Sequence, residues 1–432
     1  MRHDSAAHLE SHLLEQCPPA LAALGLPHES VCPDYERSIG NLPATLAALL
    51  GAQLPGCLPP LPGDMWRDLA PGLRRIVWVI LDALGWVHFQ RLLQQDGRLV
   101  FGRLAGNGRL VPLTSVFPST TTSALASLWT GCAPAQHGLV GHEIYLRQYG
   151  LVMDALKFSP SGEAKRGLML ERGLVPEELL PVPGLAQLLA EQGVVTRVLI
   201  SARLLDSGLS RICFRGVTQV CDLITSADMW VQLRQLVAAH LDERLLLVGY
   251  WGDVDEISHH RGPDSESWYA ELRNLAFSLE REFLSALSAA ERRGTLLVIA
   301  ADHGQLGGGL EAIVRLQEHP ELRDYLLLPP SGGPRAAYLF TRHGFAEATR
   351  AYIQAHLSQQ LAALDSGQAL AAGLLGPGRP APETDHRVGD VLVLGRDRHV
   401  FRHREPKFQV RGVHGGLSAS EMLVPLLMAR LD

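Results

Sequence analysis

The segment RIVWVILDALGW, residues 75–86, decides the fold of this chain. Its apolar run, residues 76–81, is continuous and ends at Asp82. It lacks the alternation of polar and apolar residues that marks a strand with one solvent-exposed face. Such a run is typical of a buried parallel strand, because helices cover both faces of a parallel sheet. The segment therefore predicts an inner strand of an α/β sheet with a carboxylate at its carboxyl end.

Further apolar runs of the same kind follow, and they alternate with segments of helical periodicity such as residues 267–290 and 344–364. This alternation predicts βαβ units, and hence an α/β/α sandwich with a mainly parallel central sheet. The further runs are residues 110–117, 194–200, 245–250, 295–300, 336–340 and 391–394.

The composition excludes several classes of protein. Hydrophobic residues make up 47% of the 432 residues and charged residues 19%, which is enough apolar material for a large core and excludes a disordered or fibrous chain. The formal net charge is −6, which argues against a protein that coats nucleic acid or anionic membrane. We find no signal-peptide core and no apolar stretch of about 18 residues, so we expect a cytoplasmic protein without a membrane partner.

The chain is expected to form one catalytic domain over residues 73–432, preceded by a peripheral leader, residues 1–72, with a helix near residues 43–50. A lid insertion is expected within about residues 305–412, which contain a strand, a helix and the Pro/Gly-rich loop 374–385. The six cysteines are scattered without a C-x-x-C pair, which predicts core thiols of a reducing compartment.

Three of the apolar runs end in acidic or histidine residues. Asp82 follows the first, Asp255 and His259 follow residues 245–250, and Asp302 and His303 follow residues 295–300. In an open parallel sheet, ligands bind beyond the carboxyl ends of the strands, so these side chains should meet at one edge. Carboxylate and imidazole together suit Zn²⁺ or a similar metal. Taken singly, each could equally be a helix cap, a surface turn or a tight turn.

A fourth segment, residues 115–131, contains five consecutive hydroxyl residues, 119–123, at the start of a predicted helix. One interpretation is helix capping, because Ser and Thr favour the N-cap position. The other is catalytic: a hydroxyl beside the free N–H groups of a helix N-terminus lies at an anion site, and a metal ion would make it a nucleophile. Composition does not say which of the five hydroxyls is used.

From about Arg75 onward, these motifs make the chain resemble the type I phosphodiesterase/nucleotide pyrophosphatase family of the alkaline phosphatase superfamily. The family has its nucleophile nine residues before the Thr of T-G, which selects Thr121. The matching blocks, in order, are Asp82, F-P-S-T-T at residues 117–121, T-G at 130–131, H-G at 137–138, D-x-x-x-H at 255–259 with G-P at 262–263, D-H-G at 302–304, and H-G-G-L-S at 414–418 before a final apolar helix.

The resemblance implies an alkaline phosphatase-like fold with two divalent metal ions, zinc being the expected metal. One ion would be held by Asp255, His259 and His414, and the other by Asp82, Thr121, Asp302 and His303. Two metals roughly 4 Å apart suit in-line phosphoryl displacement. Thr121 would attack to give a phospho-threonine, which water would then hydrolyse.

One position departs from the family pattern. Nucleotide pyrophosphatases usually have an Asn 21 residues after the nucleophile, where it helps to hold a phosphoryl oxygen, and this chain has His142. An imidazole can still donate a hydrogen bond to phosphate, although a surface histidine is the competing interpretation. Thr122 also replaces the aromatic residue that many relatives use against a base. Both departures weaken the expectation of a nucleotide substrate.

We therefore expect a phosphohydrolase that acts on a small phosphate ester, with a nucleotide as one candidate, and forms no stable nucleic-acid complex. Cleavage of phosphodiester or pyrophosphate bonds is the first hypothesis. A phosphomonoesterase or phosphonate hydrolase of the same superfamily is the second, and a non-catalytic metal-binding module is the third. The intact nucleophile Thr121 argues against the third.

Overall fold

The computed structural model describes residues 2–205, 207–307, 312–405 and 409–432. Its centre is a seven-stranded sheet in which six strands run in one direction and the strand Leu423–Arg430 runs antiparallel to both of its neighbours. In spatial order the strands are Arg109–Thr114, Leu423–Arg430, Thr295–Ala300, Arg75–Leu81, Leu245–Trp251, Val195–Ser201 and Gln219–Leu223. The predicted mixed α/β fold with a mainly parallel central sheet is confirmed.

The middle three strands explain the edge at which the polar residues collect. Every residue of Arg75–Leu81, Leu245–Trp251 and Thr295–Ala300 is buried, which is why these segments are continuously apolar. Leu81 pairs with Trp251, and Ile80 with Ala300, so the three strands end side by side. The residues that follow each strand therefore emerge at one edge of the sheet.

Helices connect the strands and cover the sheet. Trp86–Gln95 and Val100–Asn107 pack against the strand Leu423–Arg430, and Ser226–Ala239 packs against Leu245–Trp251. The longer α-helices are Arg2–Glu15, Leu42–Leu49, Trp86–Gln95, Val100–Asn107, Thr121–Thr130, Ser226–Ala239, Asp253–Arg261, Glu266–Ser278 and Ala346–His356. Shorter helices include Pro134–His137, Leu185–Ala190, Gly208–Cys213, Pro320–Asp324, Ser366–Ala371, Thr384–Arg387 and Ala419–Met422.

A second sheet of seven strands is antiparallel throughout and combines two distant parts of the chain. Its strands, in spatial order, are Leu361–Asp365, Val391–Gly395, Ala336–Leu339, Ser331–Gly332, Glu143–Leu146, Leu151–Asp154 and Ser159–Pro160. Most of the sheet comes from the region in which the lid insertion was expected. The strands from residues 143–160 come from outside that region.

This second sheet corrects part of the strand assignment. The runs 336–340 and 391–394 were predicted as parallel strands of the central sheet, but they pair antiparallel with each other in the second sheet. Alternate residues enter two different apolar clusters: Ala336 and Tyr338 lie in one, Ala337 and Leu339 in the other. Because both faces are covered, an antiparallel strand here has the same continuous apolar pattern as a parallel one.

Two central strands were not predicted. Gln219–Leu223 is an edge strand with mostly exposed residues and gives no apolar run. The segment after residue 418 was expected to form a final helix, but beyond the short helix Ala419–Met422 it is the strand Leu423–Arg430. Seven of its eight residues are buried. A short run that is apolar throughout has no visible periodicity, so the sequence does not distinguish a buried strand from a buried helix.

The N-terminal residues are joined to the rest of the fold. The helix expected near residues 43–50 is Leu42–Leu49, and its Leu42 and Leu46, with Ile39, are fully buried in the main core. Cys17 and Cys32 form a disulfide, which corrects the prediction that all six cysteines are thiols. Within the described ranges, no helix is both long enough and apolar enough to cross a bilayer.

Candidate active site

A buried cluster of ligand atoms lies at the carboxyl ends of two neighbouring strands. Asp82 follows Arg75–Leu81, while Asp302 and His303 follow Thr295–Ala300. Each offers one ligand atom, and these atoms lie within 4.8 Å of one another. All three side chains are almost completely buried. We call this group the buried cluster.

A second group lies closer to solvent, and we call it the open cluster. Asp255 and His259 stand one turn apart on the helix Asp253–Arg261, and His414 comes from the loop before Ala419–Met422. Their ligand atoms also lie within 4.8 Å of one another, and all three residues are half-buried. The rings of His303 and His414 stack with centroids 3.9 Å apart, so the two clusters adjoin.

The three histidines share one orientation, with Nδ1 at hydrogen-bond distance from a backbone carbonyl oxygen. The contacts are His303 to Gly304 O at 3.0 Å, His259 to Gly412 O at 2.8 Å, and His414 to Ser119 O at 3.2 Å. A ring that donates from Nδ1 keeps its lone pair on Nε2, the tautomer in which histidine binds metals. Backbone carbonyls thus orient all three rings for ligation.

The buried cluster fits a cation. Asp302 Oδ1 accepts hydrogen bonds from the N–H groups of Ala83 (3.1 Å) and His303 (2.9 Å), but its Oδ2 has no hydrogen-bond partner among the described residues. The same holds for Asp82 Oδ1. His303 Nε2 lies 3.5 Å from each of these two oxygens. Unpaired buried carboxylate oxygens are costly, so the geometry suits a divalent ion placed between them.

The pKa shifts follow from this crowding. Burial, with the nearby charges of Asp302 and Asp255, raises the pKa of Asp82 well above its usual value. Burial, with the nearby His303 and His259, lowers the pKa of His414 well below its usual value. A carboxylate that resists ionisation and an imidazole that resists protonation are the expected result when such groups converge without a counter-charge. A bound cation reverses the first effect and strengthens the second.

Thr121 begins the helix Thr121–Thr130, and its Oγ1 lies 3.1 Å from His303 Nε2. Its neighbours point elsewhere: Ser119 Oγ donates to Gly416 O, and Thr122 Oγ1 donates to Gly141 O, each at 2.7 Å. Thr120 is the N-cap residue, with its side chain making no capping hydrogen bond. Of these hydroxyls, Thr121 is the one with a side-chain contact to the buried cluster.

His142 lies beside the same helix N-terminus, directly after Gly141. Its Nε2 is 3.6 Å from Asp154 Oδ2, which also binds Lys157 Nζ at 2.6 Å. Asp154 is buried, whereas the His142 side chain is 38% exposed. Burial alone would lower the pKa of His142, but the nearby Asp154 carboxylate raises it. The pair therefore favours an imidazolium next to the cluster.

Several supporting residues were not predicted from the sequence. The Tyr250 hydroxyl donates to Asp82 Oδ2, and the Gln305 amide donates to Asp255 Oδ1. A buried ion pair between Arg335 and Glu421 holds the loop that carries His414, because Glu421 also accepts the N–H of Gly416 at 2.9 Å. Tyr250 ends a predicted strand and Gln305 follows D-H-G, but only the tertiary contacts reveal these roles.

A cleft of about 690 Å³ opens from the clusters, with Asp82, Thr121 and Asp255 among its lining residues. Much of its wall is apolar and comes from the segments around residues 125–129, 156, 200–214 and 224. The apolar wall residues are Leu125, Trp129, Leu156, Ile200, Leu204, Leu209, Phe214 and Ile224, and Arg166 and Arg203 add positive charge.

Known proteins resemble this chain in sequence and in fold. Human ectonucleotide pyrophosphatase/phosphodiesterase family member 5 is 32% identical over 108 residues, which span 25% of this chain and 22% of that protein. The solved murine structure of the same member superposes with a TM-score of 0.59 at 15% identity, over 81% of this chain and 87% of that one. Phosphonoacetate hydrolase from Sinorhizobium meliloti 1021, solved with phosphonoformate, superposes with a TM-score of 0.61 at 16% identity, over 83% and 91%.

The family model for type I phosphodiesterase / nucleotide pyrophosphatase matches residues 76–160 and 211–417. The matched ranges include all seven predicted metal ligands, Thr121 among them, and His142. The resemblance found in the sequence is therefore confirmed over most of the chain, and the superposed structures share its fold. This chain belongs to the type I phosphodiesterase / nucleotide pyrophosphatase family.

Proposed function

We propose that this protein is a two-metal phosphohydrolase that cleaves phosphodiester or pyrophosphate bonds with Thr121 as nucleophile. The observation that carries the proposal is the position of Thr121 Oγ1, at a helix N-terminus and 3.1 Å from His303 Nε2 of the buried cluster. Helix capping needs a hydroxyl that faces its own backbone, whereas this one faces ligand atoms. Family membership supports the same assignment.

Asp255, His259 and His414 would hold one ion, and Asp82, Asp302 and His303, with Thr121, the other. Their mixture of imidazole and carboxylate suits Zn²⁺. Bound divalent ions would polarise the phosphoryl oxygens and lower the pKa of the Thr121 hydroxyl. The unpaired oxygens of Asp82 and Asp302 support the buried position, and the common orientation of the histidines supports both.

The protein's own part in the reaction follows from the geometry. Thr121 Oγ forms a bond to phosphorus while the bond to the leaving oxygen breaks, which transfers the phosphoryl group to the threonine. The N–H groups of the first turn of Thr121–Thr130, which lack intrahelical partners, can donate to the phosphoryl oxygens. Water then cleaves the threonine ester, and Thr121 is regenerated for the next turnover.

The cleft provides room for the rest of the substrate. Its apolar wall would hold one ester group, so that the phosphorus is placed against Thr121 before reaction. Thr122 has no aromatic ring on which a base could stack, and its hydroxyl donates a hydrogen bond to Gly141 O. A small phosphate ester with an apolar or aromatic group fits this wall, and a nucleotide remains one candidate.

The second candidate is a phosphomonoesterase or phosphonate hydrolase, and His142 is the observation that favours it. An imidazolium paired with Asp154, with Lys157 on the same carboxylate, adds positive charge near the N-terminus of the Thr121 helix. A monoester or a phosphonate carries an additional negative charge that such a group would bind. We also propose that the lid, expected within about residues 305–412, is the part of the second sheet that these residues form, from Ser331–Gly332 to Val391–Gly395.

The test is a comparison of catalytic efficiency on an aryl phosphodiester, an aryl phosphomonoester, a dinucleotide and phosphonoacetate, with zinc supplied. We expect the diester to be the best substrate and the Thr121→Ala variant to be inactive on all four. A clear preference for the monoester or the phosphonate would transfer the protein to the second candidate. No turnover of any substrate by protein with two bound metals would favour the non-catalytic module.

A further inference from the structure

Two of the free cysteines, Cys57 and Cys132, lie against the same backbone oxygen. Cys57 Sγ is 3.1 Å from Thr130 O, and Cys132 Sγ is 3.9 Å from it. They come from remote parts of the chain: Cys57 from the N-terminal segment, and Cys132 from the turn that follows the helix Thr121–Thr130. The proposed function uses neither residue.

The backbone holds the two cysteines together. The N–H of Leu58, next to Cys57, donates to the carbonyl of Gly131, next to Cys132, at 2.7 Å. A Cβ at Gly131 would lie 3.1 Å from Cys57 Cβ, and Gly131 also has a left-handed φ of 72°. A glycine here lets the helix end and lets the Cys57 segment approach closely.

The two sulfurs differ in protonation and access. The contact between them raises the pKa of Cys57, to which burial also contributes, and lowers the pKa of Cys132. Cys57 is half-buried, whereas Cys132 is buried. An external oxidant therefore reaches Cys57 first, and Cys132 supplies the thiolate that resolves the product.

We propose that Cys57 and Cys132 are a redox modification site, and that an oxidised small thiol such as glutathione disulfide converts them to an intramolecular disulfide. The Cys57 sulfur, the more accessible of the two, attacks the glutathione disulfide and forms a mixed disulfide, and its proton goes to the glutathione thiolate that is released. Cys132 thiolate then attacks Cys57 Sγ and releases a second one. Two protein thiols are oxidised, one glutathione disulfide is reduced, and the two protein protons go to the released thiolates.

The bond would attach the N-terminal segment to the end of the Thr121 helix and close a long loop. Closing a long loop restricts the unfolded chain more than the folded one, so we expect Tm to rise by roughly 2–5 °C. Thr121 lies at the opposite end of its helix from Cys132, so turnover should be unchanged. The disulfide Cys17–Cys32 already joins two residues of the N-terminal segment and would not be altered.

The experiment incubates the full-length, zinc-loaded protein in glutathione buffers of increasing oxidised fraction. Free thiols are then alkylated after acid quenching, and unreduced peptides are identified by mass spectrometry. We expect a peptide that links Cys57 to Cys132, together with the rise in Tm. Cys57→Ser and Cys132→Ser should each abolish that rise. Cys221→Ser is the matched control, because Cys221 is a half-buried thiol like Cys57 and should leave the rise intact.

Two results would overturn the proposal. One is full alkylation of Cys57 and Cys132 in buffers that glutathionylate Cys221. The other is a rise in Tm that survives in Cys57→Ser. If one of the serine variants folds poorly, peptide mapping of the oxidised parent protein still tests the proposal, because it requires no substitution.

Discussion

The two ligand clusters adjoin but differ in their surroundings. The buried cluster follows two inner strands and is enclosed by the core: Asp302 and His303 have no exposed surface. The open cluster combines a helix and a late loop, and the side chains of His259 and Asp255 remain 26% and 17% exposed. The sheet itself thus fixes one set of ligands, whereas the other depends on Gln305 and on the loop held by Arg335 and Glu421.

This difference suggests a division of labour. Enclosed carboxylates that each keep one unpaired oxygen among the described residues should retain an ion and exclude water, which strengthens the electrostatic effect on Thr121. Ligands open to solvent should exchange their ion and admit the hydrolytic water. The predictions below test this comparison.

The largest effect is expected for Thr121→Ala, which removes the proposed nucleophile. Turnover should fall by a factor of about 10³ or more, mostly in kcat, because the lost interaction belongs to the transition state. Metal analysis should still give close to two equivalents, since the carboxylates and histidines remain. Thr120→Ala is the control and should cost about 1 kcal/mol of stability at most, with modest loss of activity. A Thr121→Ala enzyme as fast as the parent would exclude this residue as nucleophile.

A second prediction concerns metal release. Transfer of zinc to a chelator should occur in two phases of about one equivalent each, the fast one from the open cluster, as expected for a two-metal site. Asp255→Ala should abolish the fast phase, and Asp302→Ala the slow one. A single phase carrying both equivalents would remove the distinction between the clusters.

His142 gives a pH-dependent prediction. Its pKa is raised, since Asp154 outweighs burial, so its positive charge is present at low pH and is lost as the pH rises through this raised value. His142→Asn should lower efficiency on a monoester by roughly tenfold on the acidic side, about the value of one charged hydrogen bond. Diester hydrolysis should change less. If catalytic efficiency on the monoester depends on pH in the same way for the parent enzyme and for His142→Asn, His142 does not contact the substrate.

The smallest effect is expected at the rim of the cleft. Ile224 lines the cleft and is 81% exposed, so Ile224→Ala should not disturb folding. The KM for a bulky aryl ester should rise about threefold, from roughly 0.7 kcal/mol of lost apolar contact, while a methyl ester is unaffected. Leu327→Ala, at a residue 67% exposed that does not line the cleft, is the control. An equal change for both esters would place the ester group elsewhere.

The sequence predicted those residues of the site that directly follow an inner strand. Asp82, Asp302 and His303 follow runs whose period and length already indicate inner strands. His414 is a lone loop histidine, so only the family resemblance predicted it as a ligand.

What the sequence did not reveal depends on tertiary contacts. Tyr250 contributes through a side-chain contact to Asp82, and no local pattern marks that contact. The disulfide Cys17–Cys32 was missed because two cysteines in a long chain carry no pairing signal. The cytoplasmic location remains a prediction.

The position of Leu423–Arg430 inside the sheet has a consequence for biosynthesis. Among the described strands, Arg109–Thr114 reaches the rest of the central sheet through Leu423–Arg430, and the N–H of Ser115 donates to Met422 O. The segment that delivers Thr121 therefore gains this strand contact only after residues 423–430 have left the ribosome. His414 also emerges after the other residues of the open cluster, so a nascent chain that stops before it lacks one residue of that cluster. Such a chain should therefore lack the complete two-metal site that we propose, even where its inner strands have already formed.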